Sequence, residues 1–593
     1  MNEILLHYES VNPISWAYLS SLLMIGLFFK FGRFWSVRNL DLILLILFAP
    51  GLLLFHFGRQ AEVRALETMA QEEALANILG DELEPEPIPP GALEGTDQTE
   101  DPNEPTEFNS DSDTNPNPSD PNPIDGSPVD GDPVVDDVAP SDPVESSDVV
   151  SSGDTESTAS DERAIGNSEA NSPLVNAETN TVDGADPALD EGELDDGEGV
   201  DEEKIATAGE LAYDSSRATQ RNGFVWLFIV SALMLVRLLV DPTMVRRPLL
   251  EPNLSTGGLA FIGCSLFVFL MGNVISSTPS EDDLNGPRRA EQLLSGKSDE
   301  NDGEEYWKHG PGYAWLNVLP SIPTMPLLRG GDKTAEADQA AYATAAKTMA
   351  ILAHLAIVIG VVAVGYVHFD SIKMGIGAAT LYLMLPYTAQ MTGRILHVIP
   401  AALMVWAIFC YRRPLTSGIF LGLAIGVVYY PLFLLPLWIS FYWQRGLGRF
   451  LIGASSVLIL MVFSLMFRDA PFVHSVRQMF GMWWPVTSDL EGIWGLGWYA
   501  VYRIPVIAAF GTLCGALALW PAQKNLGTLL SCSGAVMVAT QFWHGHGGGL
   551  YMAWFLPLLL LTIFRPNLED RVALTVLGEG WLPKWKRPDS KAA

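Results

Sequence analysis

The chain has 593 residues, 48% of them hydrophobic and 18% charged, with a formal net charge of −34. With an acidic balance of that size no nucleic-acid partner is expected, since one requires a basic face. The charge is not spread evenly: 43 of the 69 acids but only two of the 35 bases, Arg163 and Lys204, fall between Ala65 and Ser216, leaving 26 acids against 33 bases elsewhere.

Apolar segments near the ~20-residue length that crosses a bilayer recur along the chain. They are expected at 14–31, 40–58, 223–240, 257–276, 348–368, 373–391, 395–411, 415–442, 450–467, 503–520, 526–543 and 549–565. The predicted fold is therefore all-α, a polytopic membrane bundle of about 12–13 transmembrane helices including one broken hairpin. The predicted organisation is a two-helix membrane segment over 1–60, an acidic external linker over 61–220, a helix and cytoplasmic loop over 221–256, a membrane module over 257–566 and a cytoplasmic tail over 567–593.

The linker contains DELEPEPIPP, DSDTNPNPSDPNPIDGSPVDGDP and DEGELDDGEGVDEE. Nearly without aromatics, it cannot bury enough surface to offset its ordering entropy, so disorder is expected. Its Asp-x-Asp pairs lack the repeated spacing and closing acid of a calcium loop, which leaves a self-repelling solvated spacer. Cys264, Cys410, Cys514 and Cys532 all lie in or at the edge of apolar segments, which argues against a disulfide frame and a cysteine metal motif.

Loops rich in Lys and Arg stay cytoplasmic. The opening MNEILLHYESVNP has neither residue, while Lys30, Arg33 and Arg38 follow the first span, so the N-terminus is expected outside. Loop 277–347 is then external, and Lys373, Arg412/Arg413, Arg445/Arg449, Lys524 and the tail are cytoplasmic. The segment Arg412–Phe450 decides this topology: arginines at both ends of a thirty-residue apolar stretch require a two-legged hairpin, broken around Tyr429-Tyr430-Pro431. A single crossing would turn Lys524 and the tail outward.

Mid-membrane positions are nearly free of ionisable side chains, which argues against ion-coupled transport. Arg237 and Asp41 lie near span ends, and the lone His354 reads as a packed histidine. Polar groups gather instead on the external face. They include Glu281, Asp282 and Asp283; His309 in EEYWKHGPGYAWLN; Arg394 and His397 in TGRILH; Arg477 and Trp484 in the loop 468–502; and His544 and His546 in WHGHGGG.

The block LMLPYTAQMTGRILHVIPAALMVWA through GIFLGLAIGVVYYPLFLLPLWISFYWQRGLGRF, together with the late HGGGLYMAWFLPLLLL, resembles multi-span glycosyltransferases of the GT-C fold, mannosyltransferase-like enzymes that use polyprenyl-phosphate sugars. The resemblance covers roughly 257–565 and rests on apolar patterning plus a GxxLGxxxxxxYYPxxxLP hairpin. It implies an outward helix followed by a long external loop with a catalytic acid near its start, which here places Asp282 or Asp283 in that role, with Glu281 beside them. The unit departs from the family in carrying two extra spans, the acidic insert and the span 223–240 ahead of it.

The implied chemistry is substitution at an anomeric carbon. A carboxylate takes the acceptor's proton, and cations stabilise the departing polyprenyl phosphate. Arg394 and His397, then Arg477, are the expected phosphate partners, their alternative being headgroup anchorage. His309, His544, His546 and Trp484 are expected to contact the sugar or the acceptor, Trp484 alternatively belonging to an interfacial belt. His544 and His546 lack an assured third ligand, so no metal site is assigned, although a divalent cation stays open as a cofactor.

The expected function is transfer of a sugar from a polyprenyl-phosphate donor to a lipid or protein acceptor, outside the plasma (inner) membrane, with membrane lipids as the other partners. The alternatives are a transporter or lipid flippase that uses the broken helices, and a non-enzymatic scaffold whose acidic linker recruits basic partners.

Overall fold

The computed structural model describes residues 12–81, 208–244, 250–295, 309–329, 334–467, 472–481, 490–522 and 524–566. Every regular element among them is a helix, so the fold is the all-α polytopic bundle expected. Among the described residues six helices are long and apolar enough to cross a membrane, and six shorter apolar helices accompany them.

The first element among the described residues is α1 (Pro13–Phe28), started by the Asn12 side chain, which accepts from two backbone N–H groups at its first turn. The expected span 40–58 divides at Leu47 into α2 (Val37–Ile46) and α3 (Phe48–Asp81). Next come α4 (Ala208–Val240), α5 (Thr256–Ser276), α6 (Glu281–Ser295), α7 (Pro311–Arg329) and α8 (Ala335–His368). Pro386 divides the span 373–391 into α9 (Ile372–Met384) and the short α10 (Pro386–Gln390). The module continues through α11 (Ile395–Phe409), α12 (Pro414–Val427), α13 (Leu435–Tyr442), α14 (Leu447–Ser464), α15 (Phe472–Met479), α16 (Arg503–Leu519) and α17 (Leu526–Thr540). The last helix, α18 (Leu556–Phe564), starts later than the 549 expected. The delay comes from Gly547 and Gly549, whose φ angles of +70° and +99° hold the chain in a left-handed turn.

Phe261, Val268 and Leu519 are 74%, 71% and 82% exposed, which puts large apolar side chains on the outer face, where lipid tails are their natural neighbours. Helices in lipid associate through close packing at small residues rather than through water exclusion. Gly418, Gly422 and Gly426, spaced four apart on α12, face α14, where a Cβ on Gly422 would stand 2.9 Å from the Ala454 carbonyl oxygen.

The same device corrects the boundary of the linker. The expected linker 61–220 is helical over 61–81 and 208–220, because α3 and α4 pair as antiparallel helices. Gly51, Gly58 and Ala65 recur every seven residues on one, and Gly209, Ser216 and Gly223 on the other. Backbones nearly touch along this seam: a Cβ on Gly58 would meet the Gln220 backbone nitrogen at 2.8 Å, and one on Gly223 the Phe55 nitrogen at 2.8 Å. At ~1.5 Å per residue each helix is about 50 Å long, well beyond a ~30 Å hydrocarbon core. Composition alone weighs the charge of this stretch and misses its seven-residue pattern of small side chains. The disorder expected for the rest of the linker concerns 82–207, outside the described residues.

The hairpin reading holds. The Tyr442 hydroxyl donates to the Tyr411 carbonyl at 2.7 Å, and Arg445 to the Lys524 carbonyl at 2.7 Å, so both arginine-bearing ends meet at one end of the bundle. The break itself, a 3-10 turn over Tyr430–Leu434, lies at the opposite end, with Tyr430 stacked on His544 at 4.4 Å. The two legs diverge: α12 packs on α11 and α14, while α13 packs on α16 and α17.

The basic end is closed by ion pairs. Arg237 engages Asp41 at 2.7 Å and Asp241 at 3.1 Å, and Arg565 reaches Asp241 at 2.5 Å. Arg38 donates to the carbonyls of Phe28 and Glu251. His354, as expected, is a packed histidine held between the Thr392 carbonyl at 3.0 Å and the Tyr382 hydroxyl at 3.2 Å.

Candidate functional site

Among the described residues, the other end of the bundle carries two cavities large enough for a ligand, separated by a carboxylate–arginine cluster. Helix α6 begins with Glu281, Asp282 and Asp283, acids that suit the positive end of a helix. Asp283 is 3% exposed; its Oδ2 accepts from the Ser280 hydroxyl at 2.6 Å and its Oδ1 from the Ile395 backbone N–H at 3.0 Å. It thus caps the first turn of α11 from a helix more than a hundred residues away. Arg394 lies 3.6 Å from Asp283 and 3.9 Å from Asp282, and also donates to Ser280.

The neighbouring acids have different surroundings. Burial pushes the Asp283 carboxyl above the ordinary carboxylate range, opposed by the Ser280 hydroxyl, Arg394 and the Ile395 N–H. The side chain of Asp282 is 50% exposed and opens onto the larger cavity.

That cavity has a volume of about 450 Å³, within the range of small-molecule sites. Arg394 and His397 line it with Asp282; His546 and Tyr551 line it from the glycine-rich turn, and Glu491 from the loop before α16. His397 is oriented by the Tyr387 hydroxyl, 2.7 Å from its Nδ1, and by the Tyr551 ring at 4.3 Å. The loops carrying Glu491 and His546 are joined by the Glu491 N–H donating to the Gly545 carbonyl at 2.9 Å. The Gln541 side chain fixes the glycine-rich turn by accepting from the N–H groups of Gly549 and Tyr551. Burial, then Glu491 and Asp282, raise the Tyr551 hydroxyl above its usual value, so it stays a proton-bearing group.

The smaller cavity, about 180 Å³, is bounded by Asp283, Arg394, Lys347 and the amides Asn273 and Gln390. Asn273 Oδ1 and Gln390 Nε2 are buried in its wall without a hydrogen-bond partner among the described residues. Arg394 lines both cavities, Asp282 only the larger and Asp283 only the smaller.

The structure thus brings Asp282, Asp283, Arg394, His397 and His546 to one place. His544 sits behind them, with His546 N–H donating to its Nδ1 at 3.1 Å and Tyr551 at 4.5 Å. Burial, then His546 and Arg503, lowers its pKa well below the usual histidine value, which leaves a neutral ring.

Besides His544, three expected residues are absent from the walls of these two cavities. The Glu281 side chain is 75% exposed and faces Arg288 at 3.6 Å. His309 is buried against the Tyr313 ring at 5.0 Å, where the following Gly310 seats on the end of α12 through its N–H to the Val427 carbonyl. Arg477 lies on α15, which packs on the end of α14 through Met479, Met461 and Leu465. Trp484 is outside the described residues. Sequence reasoning in turn missed Glu491, Tyr551, Arg59 and, from the assumed linker, Glu62, Arg217 and Gln220, all of which line the larger cavity.

Among the described residues no three His, Cys, Asp or Glu side chains are grouped to hold a metal ion. No family model, curated protein or solved structure matches this chain.

Proposed function

We propose that this chain is a membrane glycosyltransferase that moves a sugar from a polyprenyl-phosphate donor to an acceptor hydroxyl. The cavity end then faces the outside of the plasma (inner) membrane, and the basic end the cytoplasm. The observation that carries the reading is the shared wall of the larger cavity, where a half-exposed carboxylate, Asp282, stands 3.9 Å from a guanidinium, Arg394, with His397 beside them. An acid that can accept a proton next to a cation that can hold a leaving phosphate is the pair such a displacement needs.

In this reading the acceptor oxygen attacks the anomeric carbon and the bond from that carbon to the phosphate oxygen breaks. Asp282 takes the hydroxyl proton, and Arg394 compensates the charge left on the lipid phosphate. Asp283 is a positioning residue: it holds Arg394 and the start of α11, and its own oxygens are already engaged by Ser280 and Ile395. No step is routed through a metal ion, for which the described side chains offer no ligand cluster.

The test is transfer from a panel of short-chain polyprenyl-phosphate hexoses by purified wild type and Asp282→Asn at matched abundance. Loss of transfer in the variant supports the reading. Equal transfer by both sinks it, and lipid or solute flux without a sugar donor would favour transport instead.

A further inference from the structure

The α3–α4 pair precedes the module that resembles glycosyltransferases, yet it forms one wall of the larger cavity. Phe55, Arg59 and Glu62 come from α3, and Tyr213, Arg217 and Gln220 from α4. Their placement is rigid, for three reasons. The glycine contacts described above bring the two backbones together. Gln220 donates to Glu62 at 3.0 Å, and Glu62 pairs with Arg59 at 2.8 Å. Arg217, with its guanidinium over the Tyr213 ring at 5.6 Å, donates to the Gly495 carbonyl, and Phe224 packs with Ile493 and Trp494. The pair is thus fixed to the loop that also carries Glu491.

We infer that Arg217, supported by Arg59, is a second anion-binding element of this cavity, and that with Arg394 it recognises the phosphate of a phosphorylated sugar. The reason for a phosphorylated sugar rather than a bare anion is the mixed charge of the wall. Its arginines are accompanied by Glu62, Asp282 and Glu491. Carboxylates repel a simple anion but accept hydrogen bonds from hydroxyls, so a ligand carrying both phosphate and hydroxyl groups satisfies both kinds of side chain. A volume of about 450 Å³ holds a group of that size. The inference rests on the proposed glycosyl transfer only for the ligand's fate; binding stands by itself.

The test uses the full chain in detergent and two probes, a short-chain isoprenyl-phosphate hexose and an uncharged alkyl hexoside of matched length. Dissociation constants are measured for wild type, Arg217→Gln, Arg217→Lys and Arg59→Gln, with thermal unfolding as a control on folding. Arg217→Gln is expected to weaken the phosphate probe about tenfold or more, the effect of losing a charge-assisted hydrogen bond. The hexoside should be unaffected, Arg217→Lys should recover part of the loss, and Arg59→Gln should lose less. Equal weakening of both probes would overturn the inference and assign Arg217 to holding the Gly495 loop; wild type that fails to bind the phosphate probe would overturn it too. Because binding is read without turnover, a wild type that binds but never transfers sugar sinks the proposed reaction while leaving this inference standing.

Discussion

The two ends of the bundle use the same residue types to opposite effect. At the basic end Asp241 and Arg565 are 0% and 5% exposed, and each charge is closed against another. At the cavity end the Asp282 and Arg394 side chains are 50% and 43% exposed, 3.9 Å apart, and face open volume. A buried ion pair is tolerated when its partners satisfy it, and removing one partner leaves an uncompensated charge. An ion pair lining a cavity can exchange its partner for a ligand. The difference between architecture and chemistry is therefore read from what surrounds a charge, rather than from which charge it is.

The largest effect expected from this contrast is at the closed end. Asp241→Ala strands Arg565, leaves Arg237 with Asp41 alone, and should cost about 3–5 kcal/mol, enough to deplete folded protein in a detergent-stability assay. If the variant unfolds like wild type, the network is not structural and the contrast fails. Asp282→Asn should do the reverse, lowering sugar transfer by about 10²–10⁴-fold, the usual share of a general base, with an unchanged unfolding midpoint. A fall in stability equal to the fall in activity would place Asp282 with the architecture. A smaller effect is expected of Tyr442→Phe, which removes the bond to Tyr411 that ties the hairpin ends. It should cost about 1 kcal/mol in unfolding experiments and leave transfer untouched; a transfer defect would mean that the hairpin couples the two ends.

Much of this was legible in the sequence, for identifiable reasons. The hairpin followed from Arg412/Arg413 and Arg445/Arg449, because headgroup-anchoring charges label loops whatever the packing between them. Asp282, Arg394 and His546 were found because each lies in a loop assigned to the same side. His309 and Arg477 lie in loops assigned to that side as well, and yet they line neither cavity. Loop charge tells which end of the bundle a residue occupies, whereas the direction of its side chain is set by about 100° of rotation per helical residue and by contacts such as those of α15 on α14. Arg59 and Arg217 were hidden for a different reason. They border an acidic segment whose composition dominates any average, and only the spacing of Gly51, Gly58 and Ala65 against Gly209, Ser216 and Gly223 marks a helix pair there.

The smallest and most diagnostic effect concerns Asp283, which belongs to the cavity end but is buried like the acids of the closed end. Burial raises its pKa above the ordinary carboxylate value. A raised value means that the folded chain prefers the protonated acid, so this preference stabilises fully below about pH 4, where unfolded Asp titrates, and is lost as pH rises through the higher folded value. Asparagine keeps an oxygen for the Ile395 N–H but does not titrate. The unfolding midpoint of wild type relative to Asp283→Asn should therefore decline between pH 4 and pH 7. A relative midpoint that climbs over that interval would mean that Ser280, Arg394 and the Ile395 N–H outweigh burial, making Asp283 a charge held as firmly as Asp241 and moving the boundary between closed and open charge into the α6 turn itself.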